Sequence, residues 1–242
     1  MRKAVVIIAI VVAVVAIYTV LILKGWPGVL IGSGNLETEQ YAFANFTRVE
    51  ISTAFEFEIE QSSSYSINVT ADDNVIDYVQ VSQDGQTLKI RVGTVPTLRR
   101  ATLKASVTMP QLGGLTVSGA SRGTVYDFNS TEAVDITVSG ASRVIGDITA
   151  GDVEFHIDGA STIQLEGSAN DMTARVSGAS RFSLDDFTVN NANVNISGAS
   201  TGTINLDGRL DANVSGASTL LYIGDPIMGA IDVSGASTLS KK

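Results

Sequence analysis

Residues 174–182 read Ala174-Arg175-Val176-Ser177-Gly178-Ala179-Ser180-Arg181-Phe182, and the motif at their centre returns throughout the C-terminal half of the chain. The unit is Ser-Gly-Ala-Ser, once Asp-Gly-Ala-Ser. Its glycines are Gly119, Gly140, Gly159, Gly178, Gly198, Gly216 and Gly235, with successive gaps of 21, 19, 19, 20, 18 and 19 residues. Such a period is too short for repeats built from helix pairs, and it suits one turn of a solenoid per unit.

The flanking residues say what the turn is made of. Two positions before the glycines stand Val117, Val138, Ile157, Val176, Ile196, Val214 and Val233. Four positions before stand Leu115, Ile136, Phe155, Ala174, Val194, Ala212 and Ile231. Alternation with period two is the signature of a strand with one buried face. Four positions after the glycine, Val144, Ile163, Phe182, Leu220 and Leu239 mark a second short strand. Clusters such as Gly146-Asp147, Asn190-Asn191 and Asp207-Gly208 then supply turns.

These features predict an all-β, parallel β-helix with coils of about 19 residues, whose equivalent strands stack at about 4.8 Å. The glycine takes the bend or bulge between sheets, and alanine and serine keep the corner small enough to stack. Ser118, Ser139, Ser177, Ser197, Ser215 and Ser234, with Asp158 between them, should face outward as a column. Three positions after each glycine come Arg122, Arg143, Thr162, Arg181, Thr201, Thr219 and Thr238. Stacked, they would form an outward Arg/Thr stripe able to meet an anionic glycan or a partner's carboxylates, or simply a solvated face.

Residues 43–110 are β-rich but irregular. Val49-x-Ile51-Ser52-Thr53-Ala54-Phe55 is a worn copy of the unit, with Thr53 in the glycine place. Alternation continues through Phe57, Ile59, Ile67, Val69, Val79, Val81, Leu88, Ile90 and Val92, and Asp84-Gly85 reads as a hairpin turn. This region is expected to hold the opening coils and an N-terminal cap, with the regular solenoid over 111–242.

Ala4 to Leu23 is an uncharged apolar run of 20 residues. As a helix it would span about 30 Å, the thickness of a bilayer core. Residues 1–24 are therefore expected to form an uncleaved transmembrane signal anchor, and 25–42 a linker. Arg2 and Lys3 outweigh Lys24, which places the N-terminus in the cytoplasm and the rest outside a single-pass cell membrane protein. The net charge of −9, without a basic stripe, argues against nucleic acid. The absence of cysteine excludes disulfides and thiolate metal sites.

Catalytic chemistry has weak support. Gly119-Ala120-Ser121-Arg122-Gly123 and Gly198-Ala199-Ser200-Thr201-Gly202 match the nucleophile-elbow pattern. An elbow, however, needs a following helix and a histidine base, and the repeat itself explains both matches. His156, the single histidine, lies between Phe155 and Ile157 and should point away from the core. Asp72-Asp73 and Asp185-Asp186 could seed a calcium site or a glycosidase-like carboxylate pair; Asp72-Asp73-Asn74 reads more simply as the end of a strand. No catalytic residue, metal ligand or cofactor is expected. The residues favour a surface interaction or scaffold module, with a glycan or a surface protein as partner. An envelope enzyme acting on polysaccharide and a membrane-tethered stress or signalling partner are the alternatives.

The ordered set Phe46-x-x-Val49-x-Ile51-Ser52-x-Ala54-Phe55, Ala71-Asp72-Asp73-Asn74, and Thr108-Met109-Pro110 leading into Leu115-Thr116-Val117-Ser118-Gly119-Ala120-Ser121 resembles the putative auto-transporter adhesin, head GIN domain family, over roughly residues 43–240. The resemblance implies a right-handed β-helix, an extracytoplasmic location and an adhesive role. It carries no catalytic residues over. Thr53 departs from the pattern, since glycine is commoner there.

Overall fold

The computed structural model describes residues 28–95 and 97–242. The membrane helix expected within residues 1–24 lies outside them. The N-terminal strands are β1 (Val29–Ile31), β2 (Leu36–Tyr41), β3 (Arg48–Ile51), β4 (Glu56–Gln61), β5 (Ser66–Asp72), β6 (Val79–Asp84), β7 (Thr87–Val92), β8 (Thr97–Arg99) and β9 (Leu103–Met109). The repeat region adds β10 (Gly114–Val117), β11 (Arg122–Asn129), β12 (Val134–Val138), β13 (Arg143–Thr149), β14 (Val153–Ile157), β15 (Thr162–Val176) and β16 (Arg181–Ile196). It closes with β17 (Thr201–Leu206), β18 (Arg209–Val214), β19 (Thr219–Ile223), β20 (Ile227–Val233) and β21 (Thr238–Lys241). A 3-10 turn at Ile76–Tyr78 is the one helical piece among the described residues.

The strands form a β-solenoid of two stacks. One runs β7–β3–β10–β12–β14, through the C-terminal halves of β15 and β16, to β18 and β20, all parallel. The other runs β9–β4–β11–β13, through the N-terminal halves of β15 and β16, to β17, β19 and β21, also parallel. Strands β15 and β16 pass from one stack into the other, with register shifts where they bend.

Register follows the alternation read from the sequence. Val117, Val138, Ile157, Val176, Ile196, Val214 and Val233 are successive partners, as are Leu115, Ile136, Phe155, Ala174, Val194, Ala212 and Ile231. Both columns are buried until the last coil, where Ile231 is 39% and Val233 42% exposed. Each fully buried Val, Ile or Phe adds about 1.5–3 kcal/mol relative to an exposed one. Aromatic rings fill part of this core: Phe155 and Phe187 meet edge to face with centroids 6.3 Å apart.

The N-terminal region is wound differently from a run of opening coils. β3 and β4 form a coil, but β7 and β9, later in sequence, lie on its outer side. β5 adds antiparallel to β9, β2 antiparallel to β5, and β6 antiparallel to β7. The cap therefore closes both stacks with antiparallel strands whose side chains no longer repeat. The hairpin at Asp84-Gly85 forms as expected, with Asp84 opposite Thr87.

Within 25–42, the described residues carry β1 and β2, which corrects the expectation of a plain linker. β1 pairs with β8 and β2 with β5, and the segment between them is held by Asp72, which is 1% exposed. Its two oxygens accept hydrogen bonds from the Gly34 and Thr102 backbone N–H groups, each at 2.6 Å. Asn74 donates to the Ile31 carbonyl at 2.8 Å and accepts from Ser33 N–H at 3.1 Å. The aspartates that end β5 thus tie down the segment that sequence patterning leaves free.

Candidate functional site

The corner of each coil is built around its glycine. The seven repeat glycines have φ between +65° and +81°, the left-handed region that L side chains rarely enter. A β-carbon on Gly159, Gly178, Gly198, Gly216 or Gly235 would also lie 2.3–2.6 Å from the carbonyl oxygen of the glycine one coil earlier. That oxygen accepts the N–H of the following alanine one coil later: Ala179 to Gly159 at 2.7 Å, and Ala199 to Gly178 at 2.8 Å. The alanine side chains stand exposed on the corner.

The two serines of the motif face opposite ways. Ser118, Ser139, Ser177, Ser197, Ser215 and Ser234 are half-buried or exposed, as the outward column requires. Ser121, Ser142, Ser161, Ser180, Ser200 and Ser218 are at most 2% exposed. They bind the coils together: Ser180 N–H donates to Ser200 Oγ at 3.3 Å, and Ser200 Oγ donates to the Gly178 carbonyl at 3.4 Å. The hydroxyls of Ser142, Ser161 and Ser180 have no partner among the described residues. Ser121 and Ser200, the two serines in elbow-like segments, are buried corner residues. The second glycine of each segment, Gly123 or Gly202, faces the ring of Phe57 or Phe182. The inward serine was legible: the alternation that turns Val144 inward turns Ser142 inward two residues earlier.

On the outer face of the second stack, Arg122, Arg143, Thr162, Arg181, Thr201, Thr219 and Thr238 are successive register partners. The column extends into the cap through Glu56 and Lys104, which lie 3.6 Å apart. Arg122, Arg143 and Arg181 are exposed and form no ion pair with another described residue. Two strand positions further along the face come Glu58, Thr124, Ile145, Gln164 and Ser183. Asp147, Glu166 and Asp186 form a third column.

Between these columns runs a groove that sequence reading did not anticipate. One depression, of about 260 Å³, lies over Asn68, Lys104, Ser106 and Glu58. A second, of about 250 Å³, shares Glu56 and Glu58 with it and adds Arg122, Thr124 and Arg143. A third, of about 430 Å³, shares Thr124, Arg143 and Ile145 and adds Asp147, Gln164 and Glu166. Gly146, at φ +152°, lines the third depression, next to the register shift between Val125 and Phe128.

Other titratable groups serve structure. His156 lies on the outer face of the first stack, with Nε2 3.1 Å from Glu154 Oε1. Glu154 also meets Arg175, and this hydrogen bond, then the neighbouring His156, holds its carboxyl below the usual range. Asp185 takes Lys242 and the Ser183 hydroxyl, which likewise lower its pKa. Asp73 accepts from Ser33 Oγ at 2.5 Å. Asp72, Asp73 and Asp185 thus each have partners of their own, Asp186 is exposed in register with Glu166, and among the described residues no cluster of three or more His, Asp or Glu is arranged to hold a metal ion.

The architecture matches solved structures at low identity. A putative adhesin from Bacteroides fragilis NCTC 9343 superposes with a TM-score of 0.77 at 20% identity, covering 88% of this chain and 100% of its own. A putative adhesin from Parabacteroides merdae ATCC 43184 gives 0.69 at 18% identity, covering 89% and 99%. A protein from Parabacteroides distasonis ATCC 8503, described as a putative lipid binding protein, gives 0.62 at 19% identity, covering 88% and 99%. These likenesses show the fold alone, and one fold carries more than one description. No curated protein matches the sequence. The family model for the putative auto-transporter adhesin, head GIN domain, matches residues 45–226, so the chain belongs to that family.

Proposed function

We propose that this protein is a membrane-anchored surface module that adheres through the outer faces of its solenoid. Family membership supports an adhesin-like surface protein. The observation that carries the reading is the set of long, register-aligned polar columns, from Arg122 to Thr238 and from Ser118 to Ser234, laid on a buried apolar core. Such a surface presents a polar side chain at each strand spacing, Arg or Thr in one column and Ser or Asp in the other, and suits an extended partner. The apolar run 4–23 supplies the anchor, with residues 28–242 outside the cell.

The test is adherence. Full chain in liposomes should bind cells or arrayed glycans above protein-free liposomes, and absence of any partner removes the reading. Anchoring is tested by carbonate washing of membranes: the full chain stays with the bilayer, and a chain lacking residues 1–27 is released.

A second reading, an envelope enzyme acting on polysaccharide, is favoured by one observation. Asp147, Glu166 and Asp186 stand in register on adjacent coils, and the first two line the groove. Paired carboxyls are what glycoside hydrolysis needs. Unchanged turnover in the Asp147→Asn, Glu166→Gln variant, or no turnover of any polysaccharide by the full chain, removes it.

A further inference from the structure

We infer that the groove on the second stack binds an extended, uncharged polysaccharide, with one sugar contacted per coil; the inference rests on the adhesin reading and names its ligand class. The three depressions share walls and cross β5, β9, β4, β11, β13 and β15. At the strand spacing, this path is about 24 Å long. A glycan chain extended along it advances by nearly one strand spacing per pyranose, so each coil faces about one sugar, and the differing groups of successive coils (Glu58, then Arg122 and Thr124, then Arg143 and Ile145, then Gln164 and Glu166) each meet a ring of their own. An extended peptide advances about 3.3 Å per residue and falls out of step with the coils.

The lining suits hydroxyl groups. Arg122 and Arg143 only donate, Glu58 and Glu166 only accept, and Gln164 does both. A sugar hydroxyl both donates and accepts, and can use every one of them. Ile145, 36% exposed, offers apolar surface to the C–H face of a ring. Arg122 and Arg143 are register partners with no ion pair among the described residues, and like charges opposite one another are destabilising. Their guanidinium N–H groups, with no carboxylate partner among the described residues, can donate to hydroxyl oxygens.

Charge selects against a polyanion. Alongside Lys104, Arg122 and Arg143 stand Glu56, Glu58, Asp147 and Glu166, and the whole chain carries −9. An acidic polymer would meet more carboxylates than cations along the groove and would be repelled at long range.

Titration calorimetry on the full chain in detergent tests the inference. The probes are cellobiose and the neutral hexamers cellohexaose, chitohexaose, laminarihexaose and maltohexaose, with hexagalacturonate as the anionic arm. At least one neutral hexamer should bind, and cellohexaose at least about tenfold more tightly than cellobiose if it is the one. The Arg143→Ala, Gln164→Ala variant should weaken that hexamer at least about tenfold without moving the thermal midpoint, and Arg143→Lys should retain part of the affinity. Failure of all four neutral hexamers, tighter binding of hexagalacturonate, or undiminished binding by the double variant overturns it. If the double variant loses the hexamer while adherence of liposomes persists, the groove stands and adhesion uses another face. If the hexamer binds but liposomes do not adhere, the adhesin reading falls alone.

Discussion

Gly202 lies against the ring of Phe182: a β-carbon on Gly202 would come within 2.1 Å of the ring carbons Cε1 and Cζ. The two residues are register partners on adjacent coils, so one coil's aromatic ring fills the space that the next coil leaves empty. Gly123 and Phe57 are arranged similarly, with the β-carbon position 2.5 Å from ring carbons and 2.2 Å from the Phe57 carbonyl oxygen. Gly202→Ala should therefore cost about 1–3 kcal/mol by overpacking. Phe182→Leu makes room, so in a double-mutant cycle the two costs should fall short of additivity by at least about 0.5 kcal/mol. Strict additivity in urea denaturation would show that the ring does not fill the gap.

Thr53 occupies the glycine place of the first coil at φ +74°, beside Gly119. A β-branched residue in this conformation costs roughly 1–2 kcal/mol. Thr53→Gly removes that strain and loses some of the gain to unfolded-chain entropy, for a net stabilisation of about 1 kcal/mol. Gly178→Ala is the opposite case, because its β-carbon would lie 2.3 Å from the Gly159 carbonyl oxygen at φ +78°. It should cost more than about 3 kcal/mol. Thermal unfolding of the two variants checks both signs.

The buried serines should divide by hydrogen bonding. Ser161 is 1% exposed and its hydroxyl meets no partner among the described residues. Ser161→Ala then removes a buried unpaired polar group and should be neutral to about 1 kcal/mol stabilising. Ser200 both accepts from Ser180 N–H and donates to the Gly178 carbonyl. Ser200→Ala should cost about 1 kcal/mol. Equal destabilisation by the two substitutions would contradict the assignment.

Asp72 uses both carboxylate oxygens, one for Gly34 N–H and the other for Thr102 N–H. Hydrogen bonds to a charged acceptor contribute about 1.5–3 kcal/mol each. Asp72→Ala should cost at least about 2 kcal/mol and release the segment holding β1 and β2 to rapid amide exchange. Asp72→Asn should be nearly as damaging, because its amide nitrogen would face a backbone donor. A mild Asn variant with protected Gly34 and Thr102 amides would overturn this account.

The strand columns of the repeat were legible because their causes are local. Period-two alternation sets which side chains turn inward, and parallel stacking places Val117 to Val233, and Arg122 to Thr238, in register once the period is known. The corner was legible for the same reason, since glycine enters a left-handed bend without strain and the same bend recurs in coil after coil. Asp158, breaking the outward serine column, could be placed from spacing alone.

What the sequence determined by itself was therefore a stacked β-solenoid with glycine corners and an outward Arg/Thr column. Tertiary structure decided the rest. That β7 and β9 lie outside β3 and β4, although they come later in the chain, depends on pairing between distant strands of unrelated sequence. That Phe57 and Phe182 fill the space at Gly123 and Gly202 depends on a neighbouring coil. The groove between Glu58 and Glu166 depends on which strands lie side by side, since it crosses β5, β9, β4, β11, β13 and β15. Local patterning fixes which face a side chain takes; only three-dimensional pairing fixes what stands beside it.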